Sequence, residues 1–128
     1  LAPLTDATRD RIGASVLDAL GPDGVLVNVG RGQVVDESAL IARLSDGRLQ
    51  AAGLDVFWNE PEVPAALLDL DNVVLLPHVG SATAHTRGLM IDLLHANLAS
   101  WFTGEGPLTP IPETPWHAQG RASAQKGK

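Results

Sequence analysis

Three short apolar runs, rich in β-branched residues, divide the sequence at residues 24–29, 51–57 and 72–76. Their apolar positions are continuous instead of alternating, which predicts strands that are buried on both faces. A helix is predicted over residues 36–44, between the first two runs, where Asp36 can cap the start and Gly47 can end the turn that follows. Strands connected through helices pair in parallel, so the pattern predicts a parallel sheet with flanking helices.

Further helices are predicted before and after these runs. The opening segment predicts a turn and a short helix that bears Leu17, and residues 64–68 predict another short helix before the third strand. Ser81 or Thr83 can cap a long helix after the third strand, and Gly104 can stop it. Apolar residues recur in this helix at near-helical spacing and predict a buried stripe, formed by Met90, Leu94, Leu98 and Trp101.

Regular structure is expected to end after Gly106. Prolines at positions 107, 110, 112 and 115 discourage helices and strands, and residues 119–128 are small, polar and basic without periodicity. We therefore predict an α/β part over residues 1–106, which includes the long helix, and a proline-rich, disordered tail over residues 107–128.

Composition and charge narrow the classes of function. The 128 residues carry a formal net charge of -6, and the nine Lys and Arg residues are dispersed, so nucleic acid is not an expected partner. No apolar stretch reaches the roughly 20 residues that span a bilayer, and no signal segment opens the sequence, which predicts a cytoplasmic protein without a membrane span. The absence of cysteine excludes disulfides, thiolate nucleophiles and cysteine-ligated metal sites. Any redox chemistry would therefore depend on a bound organic cofactor.

Four polar side chains follow the predicted strands, namely Arg31, Asp55, Glu60 and His78. The carboxyl ends of parallel strands meet at one edge of the sheet, where ligands of open α/β sheets bind. Each side chain also has an ordinary explanation: Arg31 can close a surface turn, Glu60 can be an exposed loop acid, and His78 can be a buried structural histidine. Asp55 lies in an apolar strand and needs a hydrogen-bonding partner, which a ligand amide or a helix amino terminus can supply.

Taken together, these groups suit acid-base assistance to hydride transfer. The guanidinium of Arg31 presents a planar fork of donors that can clamp a carboxylate and polarise the adjacent carbonyl. His78 can exchange the proton, and a nearby Glu60 favours the charged imidazole and fixes its tautomer. Metal binding is the rival use, but the sequence has neither a His-Glu-x-x-His helix nor a closely spaced ligand cluster. It also lacks the Gly-x-Ser-x-Gly elbow of a serine hydrolase.

Three ordered blocks carry a family resemblance. They are residues 28–37 (NVGRGQVVDE), residues 53–57 (GLDVF) followed by Glu60 and Pro61, and residues 77–83 (PHVGSAT). In this order they resemble the D-isomer-specific 2-hydroxyacid dehydrogenases, over residues 1–112. The run VVLLPHVGS looks most like glyoxylate, hydroxypyruvate, hydroxyphenylpyruvate or 2-ketogluconate reductases.

The resemblance implies a role for each residue of the edge. Arg31 orients the substrate, His78 is the acid/base, and Glu60 is the carboxylate that tunes it. Asp55 is expected to meet the carboxamide side of the nicotinamide. The remaining cofactor contacts implied by the resemblance are Pro3, Thr8, Val29, Gly30 and Gly80, together with Arg31 and His78 themselves.

The resemblance further implies a Rossmann-like fold, of which this chain supplies the second half of the parallel sheet. The parent protein is expected to be a homodimer that transfers a hydride between NAD or NADP and a small 2-oxoacid, without a metal. The sequence has no Gly-x-Gly-x-x-Gly to hold the pyrophosphate, so the chain by itself is expected to be inactive. The alternative is a non-catalytic module of the same family that senses dinucleotides or binds other proteins.

Overall fold

The computed structural model describes residues 2–113 and 116, and the chain divides into two compact units, Leu1–Gly80 and Ser81–Lys128. The first unit contains strands β1 (Val25–Asn28), β2 (Ala51–Leu54) and β3 (Val73–Leu75), helices α1 (Ala14–Leu20), α2 (Glu37–Ser45) and α3 (Ala65–Leu68), and a single 3-10 turn (Gly32–Val34). The second unit contains helix α4 (Ala84–Thr103).

The strands form one parallel sheet in the order β1-β2-β3. In the register, Val27 lies opposite Gly53, which in turn lies opposite Val74. Each crossover contains a helix, as parallel pairing requires. The predicted α/β class, with a parallel sheet and flanking helices, is confirmed.

Local signals place the helix boundaries. The side chain of Asp36 accepts a hydrogen bond of 2.9 Å from the Ala39 N–H and caps α2. Thr83 caps α4 in the same way, through the Thr86 N–H, and Gly104 ends that helix in the left-handed conformation. The predicted caps of both helices are therefore confirmed.

The core of the first unit lies on one face of the sheet. Leu26, Ala52 and Leu54 point to this face and pack with buried residues of the three helices, among them Leu17, Leu40 and Leu67. On the opposite face, Val27 is 67% exposed and Val74 is 64% exposed. The prediction of strands buried on both faces is wrong for β1 and β3, because all the helices of this unit contribute their buried residues to the same side.

Helix α4 also differs from the prediction. Each residue of the predicted buried stripe is exposed, from 40% for Trp101 to 60% for Met90. Other large apolar residues of α4 are exposed as well, including Leu89, Ile91 and Phe102. Because apolar residues occur all around the helix, the stripe marks no single buried face, and the prediction of a buried stripe is wrong.

Residues 107–113 contain turns and bends but no helix or strand. The boundary predicted after Gly106 stays a prediction, and the predicted disorder of residues 119–128 lies outside the described residues. None of the helices in the described part of the chain is both long enough and apolar enough to cross a membrane.

Candidate active site

The carboxyl ends of the three strands carry the candidate site. Arg31 comes three residues after β1, Asp55 directly follows β2, and His78 comes three residues after β3. Because the strands are parallel, these segments leave the sheet at the same edge. Glu60 lies five residues beyond Asp55 on the segment that leaves β2.

The loop that carries Arg31 is built from backbone and amide contacts. Asn28, the last residue of β1, accepts a hydrogen bond from the Gly30 N–H and donates one to the Arg31 carbonyl, each of 3.1 Å. Gly32 passes so close to the next segment that a Cβ there would lie 2.1 Å from the carbonyl of Phe57. Only glycine fits this crossing, which brings the Arg31 loop against the segment after β2.

The guanidinium of Arg31 lies exposed. Its Nη1 donates a 2.7 Å hydrogen bond to the carbonyl of Gly30, the preceding residue. Among the described residues it has no carboxylate within salt-bridge distance. The rest of its donor fork therefore remains available to an anionic ligand.

Glu60 and His78 form a close hydrogen-bonded pair at the same edge. Nδ1 of His78 lies 2.7 Å from Oε2 of Glu60, and the other carboxylate oxygen accepts a 3.0 Å hydrogen bond from the Phe57 N–H. The hydrogen bond with His78 is the main cause that lowers the pKa of Glu60, with smaller contributions from Phe57 and from the positive charge of Arg31, against partial burial. The lowered pKa favours the ionised form of Glu60, and the hydrogen bond from the Phe57 N–H fixes the orientation of its carboxylate.

Asp55 is buried and is only 2% exposed. Its two carboxylate oxygens accept hydrogen bonds from the Val79 and Gly80 N–H groups, each of 2.7 Å. The partner that a buried Asp55 requires is therefore the backbone of the loop after β3. His78, which opens this loop, has a positive φ of 54°.

Arg31, Glu60 and His78 line one cavity of about 420 Å³, whose wall also includes Leu4, Gln33, Trp58 and Asn59. A second cavity, of about 310 Å³, shares Glu60 and His78 and is otherwise apolar, with Phe57, Val63 and Leu75 among its lining residues. The structure thus brings the three predicted catalytic residues to one cavity and places the Glu60–His78 pair between a polar and an apolar space.

The remaining predicted cofactor residues lie on two segments, the loop after β1 and the opening turn of the chain. Val29 and Gly30 line a neighbouring cavity of about 190 Å³ together with Arg31. Pro3 and Thr8 belong to a turn in which the Thr8 hydroxyl donates to the Pro3 carbonyl at 2.7 Å. The hydrogen bonds of the Thr8 hydroxyl stay within the opening turn, and the neighbouring residues Ala2 and Leu4 line the cavities of about 190 and 420 Å³, respectively.

Sequence reasoning did not identify several contributors to this site. The Phe57 N–H, which orients Glu60, is a backbone donor without a side-chain signature. Gly80 was expected at the cofactor, but its N–H and that of Val79 were not foreseen as the donors to Asp55. Trp58 lines the cavity, and the guanidinium carbon of Arg9 lies 5.6 Å from the centroid of its ring. The sequence could have indicated Trp58, because it directly follows Phe57. In the described part of the chain, no group of three or more His, Asp or Glu residues is arranged to hold a metal.

Comparison with known proteins places this arrangement in a family. Residues 1–80 match the model of the D-isomer specific 2-hydroxyacid dehydrogenase, NAD binding domain. The chain is 57% identical over 109 residues to a hydroxyphenylpyruvate reductase of Plectranthus scutellarioides and 55% identical over 109 residues to a glyoxylate/hydroxypyruvate reductase of Arabidopsis thaliana. These matches cover 85% of this chain and 35% of each relative, so the chain spans about a third of their length.

A solved structure agrees with the sequence relatives. The NADPH-dependent glyoxylate/hydroxypyruvate reductase of Sinorhizobium meliloti, in complex with NADP and malonate, is 54% identical and superimposes with a TM-score of 0.84. The superposition covers 91% of this chain and 37% of that one. The resemblance seen in the three sequence blocks is confirmed, and with it the Rossmann-like character of the sheet. The chain belongs to the D-isomer-specific 2-hydroxyacid dehydrogenase family, in which it matches the NAD-binding domain.

Proposed function

We propose that this chain supplies the catalytic edge of an NAD(P)-dependent oxidoreductase that interconverts a small 2-oxoacid and a D-2-hydroxyacid. The observation that carries the proposal is the Glu60–His78 pair, with its 2.7 Å contact, in one cavity with an arginine that has no carboxylate partner among the described residues. A general acid next to a fixed carboxylate and a guanidinium is the set that a 2-oxoacid needs, since such a substrate offers a carboxylate and an adjacent carbonyl.

Arg31 binds the substrate carboxylate in this proposal. Its planar fork can donate two parallel hydrogen bonds to the two oxygens, which sets the orientation of the carbonyl beside it. Its exposure and its position on the cavity wall support this role.

His78 exchanges the proton through Nε2. Its Nδ1 is engaged by Glu60, so Nε2 is the ring nitrogen that can face the substrate oxygen. In the reductive direction, a hydride adds to the carbonyl carbon while Nε2 gives a proton to the oxygen, and the products are the 2-hydroxyacid and the oxidised cofactor. The negative charge of Glu60 stabilises the imidazolium that begins this step, and the reverse step returns the proton to Nε2.

The nicotinamide cofactor, NAD or NADP, supplies or accepts the hydride when it is bound. The chain fits the nicotinamide end, because Val29 and Gly30 line a partly apolar cavity beside Arg31, and Asp55 and Gly80 lie on the neighbouring segments of the same edge. The Sinorhizobium relative is described as NADPH-dependent and was solved with NADP. The sequence itself has no glycine-rich motif for the pyrophosphate, so the ribose and phosphate contacts are assigned to a part of the parent enzyme outside this chain.

The substrate class follows from the relatives. They are named as reductases of hydroxyphenylpyruvate, glyoxylate, hydroxypyruvate and 2-ketogluconate. Each of the compounds that name them carries a carboxylate next to a carbonyl, the pair of groups that Arg31 and His78 are placed to receive. Small 2-oxoacids are therefore the proposed partners of this site.

A chimera tests the proposal. This chain replaces the matching 109-residue segment of the Arabidopsis reductase, which supplies the other two thirds of the enzyme. We expect the chimera to oxidise NADPH or NADH in the presence of glyoxylate or hydroxypyruvate. The decrease in absorbance of the reduced cofactor measures this reaction. The unmodified reductase is the positive control. A folded chimera that binds the cofactor but reduces none of a broad panel of 2-oxoacids would overturn the enzymatic proposal in favour of a dinucleotide-sensing module.

Homodimer assembly and a cytoplasmic location belong to the same proposal. Large apolar residues are exposed on one face of the sheet, in the first unit, and separately on α4, in the second, and exposed apolar surface of this kind supports assembly. Light scattering of the chimera tests the homodimer, and fractionation of cells that contain the parent protein tests the cytoplasmic location. The expected absence of a nucleic-acid partner stays a prediction.

A further inference from the structure

We propose that Asp55 is a positioning residue that fixes the backbone of His78 and thereby aims its imidazole at Glu60. This inference deepens the proposed function, on which it rests, and assigns Asp55 a task besides any contact with the cofactor. The observation behind it is the pair of 2.7 Å hydrogen bonds from the Val79 and Gly80 N–H groups to the two oxygens of a carboxylate that is 2% exposed.

The conformation of His78 explains why an anchor is needed. Its φ of 54° lies in the left-handed region, which residues other than glycine seldom adopt because Cβ crowds the backbone. The two residues after it direct consecutive N–H groups at one carboxylate, and hydrogen bonds to a charged acceptor are stronger than neutral ones. The Asp55 anchor therefore stabilises the turn that begins at His78 against its intrinsic strain.

Residues 55–60 contact both the side chain of His78 and the backbone that follows it. Asp55 binds the backbone that follows His78, and Glu60, five residues later, binds Nδ1 of its ring. Glu60 is itself oriented by the Phe57 N–H within this segment. The imidazole is thus fixed relative to residues 55–60 by two carboxylates, which perform different tasks. One determines where the residue lies, and the other determines which ring nitrogen faces the substrate.

The fit around Asp55 is tight. A Cβ added at Gly80 would lie 3.0 Å from Oδ2 of Asp55, closer than nearly all such contacts allow. Among the described residues, no other atom outside the neighbours of Gly80 in the chain lies within 4 Å of that position. A methyl group at residue 80 would therefore press on the anchor and on little else, which provides a second way to disturb it.

The first experiment uses the whole 128-residue chain, labelled with ¹⁵N, and the variant Asp55→Asn. The amide of Asn has one oxygen and one donor group, so it can no longer accept from both N–H groups. We expect the Val79 and Gly80 amides to exchange with solvent roughly ten- to a hundredfold faster, the factor that corresponds to loss of a hydrogen bond to a charged group. We also expect the ¹⁵N shifts of the His78 ring to change, because Nδ1 leaves Glu60. Asp71→Asn, at an exposed position of the same unit, is the matched control and should alter neither signal.

Gly80→Ala is the second variant and serves if Asp55→Asn does not fold. It should produce the same two changes in weaker form. Gly88→Ala, whose added Cβ has no described atom within 4 Å beyond its neighbours and its own helix backbone, should produce neither. Unchanged amide exchange at Val79 and Gly80 in a folded Asp55→Asn chain, or in Gly80→Ala, would overturn the anchor. Faster exchange without any change at the imidazole would overturn the claim that the anchor positions His78.

These measurements need neither cofactor nor substrate, so they separate the two proposals. If the ring signals change as expected while the chimera reduces no 2-oxoacid, the positioning inference stands and the proposed function fails. If the chimera is active and the ring signals do not change, the function stands and the inference fails.

Discussion

The two loops that border the candidate site are built in different ways. The loop after β3 is held by side chains, since Asp55 accepts from two of its N–H groups and Glu60 binds the ring of His78. The loop after β1 is held by the amide of Asn28 and by the close passage of Gly32 against Phe57. Within the described part of the chain, the guanidinium of Arg31 donates one hydrogen bond, to the carbonyl of the preceding residue.

This difference suits the two tasks that we assign to the loops. A group that transfers a proton must be placed within hydrogen-bonding distance and in the correct tautomer before the substrate arrives, which favours a residue anchored on two sides. A group that binds a carboxylate must keep its donors available, because a structural carboxylate in the same place would compete with the substrate. In this proposal the fixed loop carries the acid/base, and the loop whose guanidinium has no carboxylate partner among the described residues carries the substrate-binding cation.

The largest effect is expected when the anchored loop loses its functional group. In the active chimera, His78→Ala should lower kcat by roughly 10²- to 10⁴-fold, the usual contribution of acid-base catalysis, because the variant loses the imidazole to which we assign the proton transfer. Steady-state kinetics with glyoxylate measure the change. His85→Ala, on the exposed surface of α4, is the control and should leave kcat unaltered. A His78→Ala enzyme with normal turnover would remove the imidazole from the mechanism.

The other loop should respond mainly through substrate binding. Arg31→Lys keeps the positive charge but loses the planar fork, so we expect kcat/KM for the 2-oxoacid to fall roughly ten- to a hundredfold, the scale of one lost hydrogen bond to a charged group. The KM for the cofactor should change little. Arg87→Lys on α4 is the matched control. If Arg31→Lys changed only the cofactor KM, the guanidinium would belong to the dinucleotide and not to the substrate.

The helix caps, the parallel sheet and the common edge of Arg31 and His78 could be predicted from the sequence, because each depends on a local sequence pattern. Asp36 and Thr83 precede their helices as capping residues, and three apolar runs separated by helical segments imply a parallel sheet whatever packs on it. The position of Arg31 and His78 after two of these runs was enough to bring them to one edge. Burial was less predictable, since the exposure of Val27 and Val74 depends on which side the helices cover and not on the apolarity of the strands.

The anchoring contacts were harder to foresee. The need of Asp55 for a partner follows from its place in an apolar run of the sequence, but the partners are backbone N–H groups, which every residue except proline carries. The sequence likewise shows that Gly32 lies between Arg31 and Gln33 without showing that it crosses the carbonyl of Phe57. Both contacts join segments distant in the chain, so they appear only once the fold is known.

The packing of the Arg31 loop can be broken at Gly32. In Gly32→Ala, the added methyl would overlap the backbone at Phe57 and Trp58, which cannot withdraw as a flexible side chain would. We expect a loss of about 1–3 kcal/mol in the free energy of unfolding, the usual cost of overpacking, measured by urea denaturation of the chain. In Gly53→Ala, the added methyl lies 3.8 and 3.9 Å from the methyl groups of Val27, which is ordinary contact, so the variant should change the stability far less. Equal stabilities of the two variants would show that the crossing at Gly32 does not hold this loop.

The smallest expected effect is a change in the pKa of Glu60. It compares the two loops directly, because His78 on one loop and Arg31 on the other both lower this pKa. The pKa of Glu60 is lowered in the folded chain, so its carboxylate contributes to stability above its ordinary pKa of about 4.3, and this contribution is lost as the pH falls through the lower, folded value. The hydrogen bond with His78 is the largest cause of the lowered pKa, and the charge of Arg31 is the smallest. A ¹³C titration of the Glu60 carboxyl should therefore show a midpoint that rises clearly in His78→Ala and only slightly in Arg31→Ala. The reverse order would mean that Glu60 is coupled to the substrate-binding loop and not to the acid/base, and the division of tasks between the loops would fail.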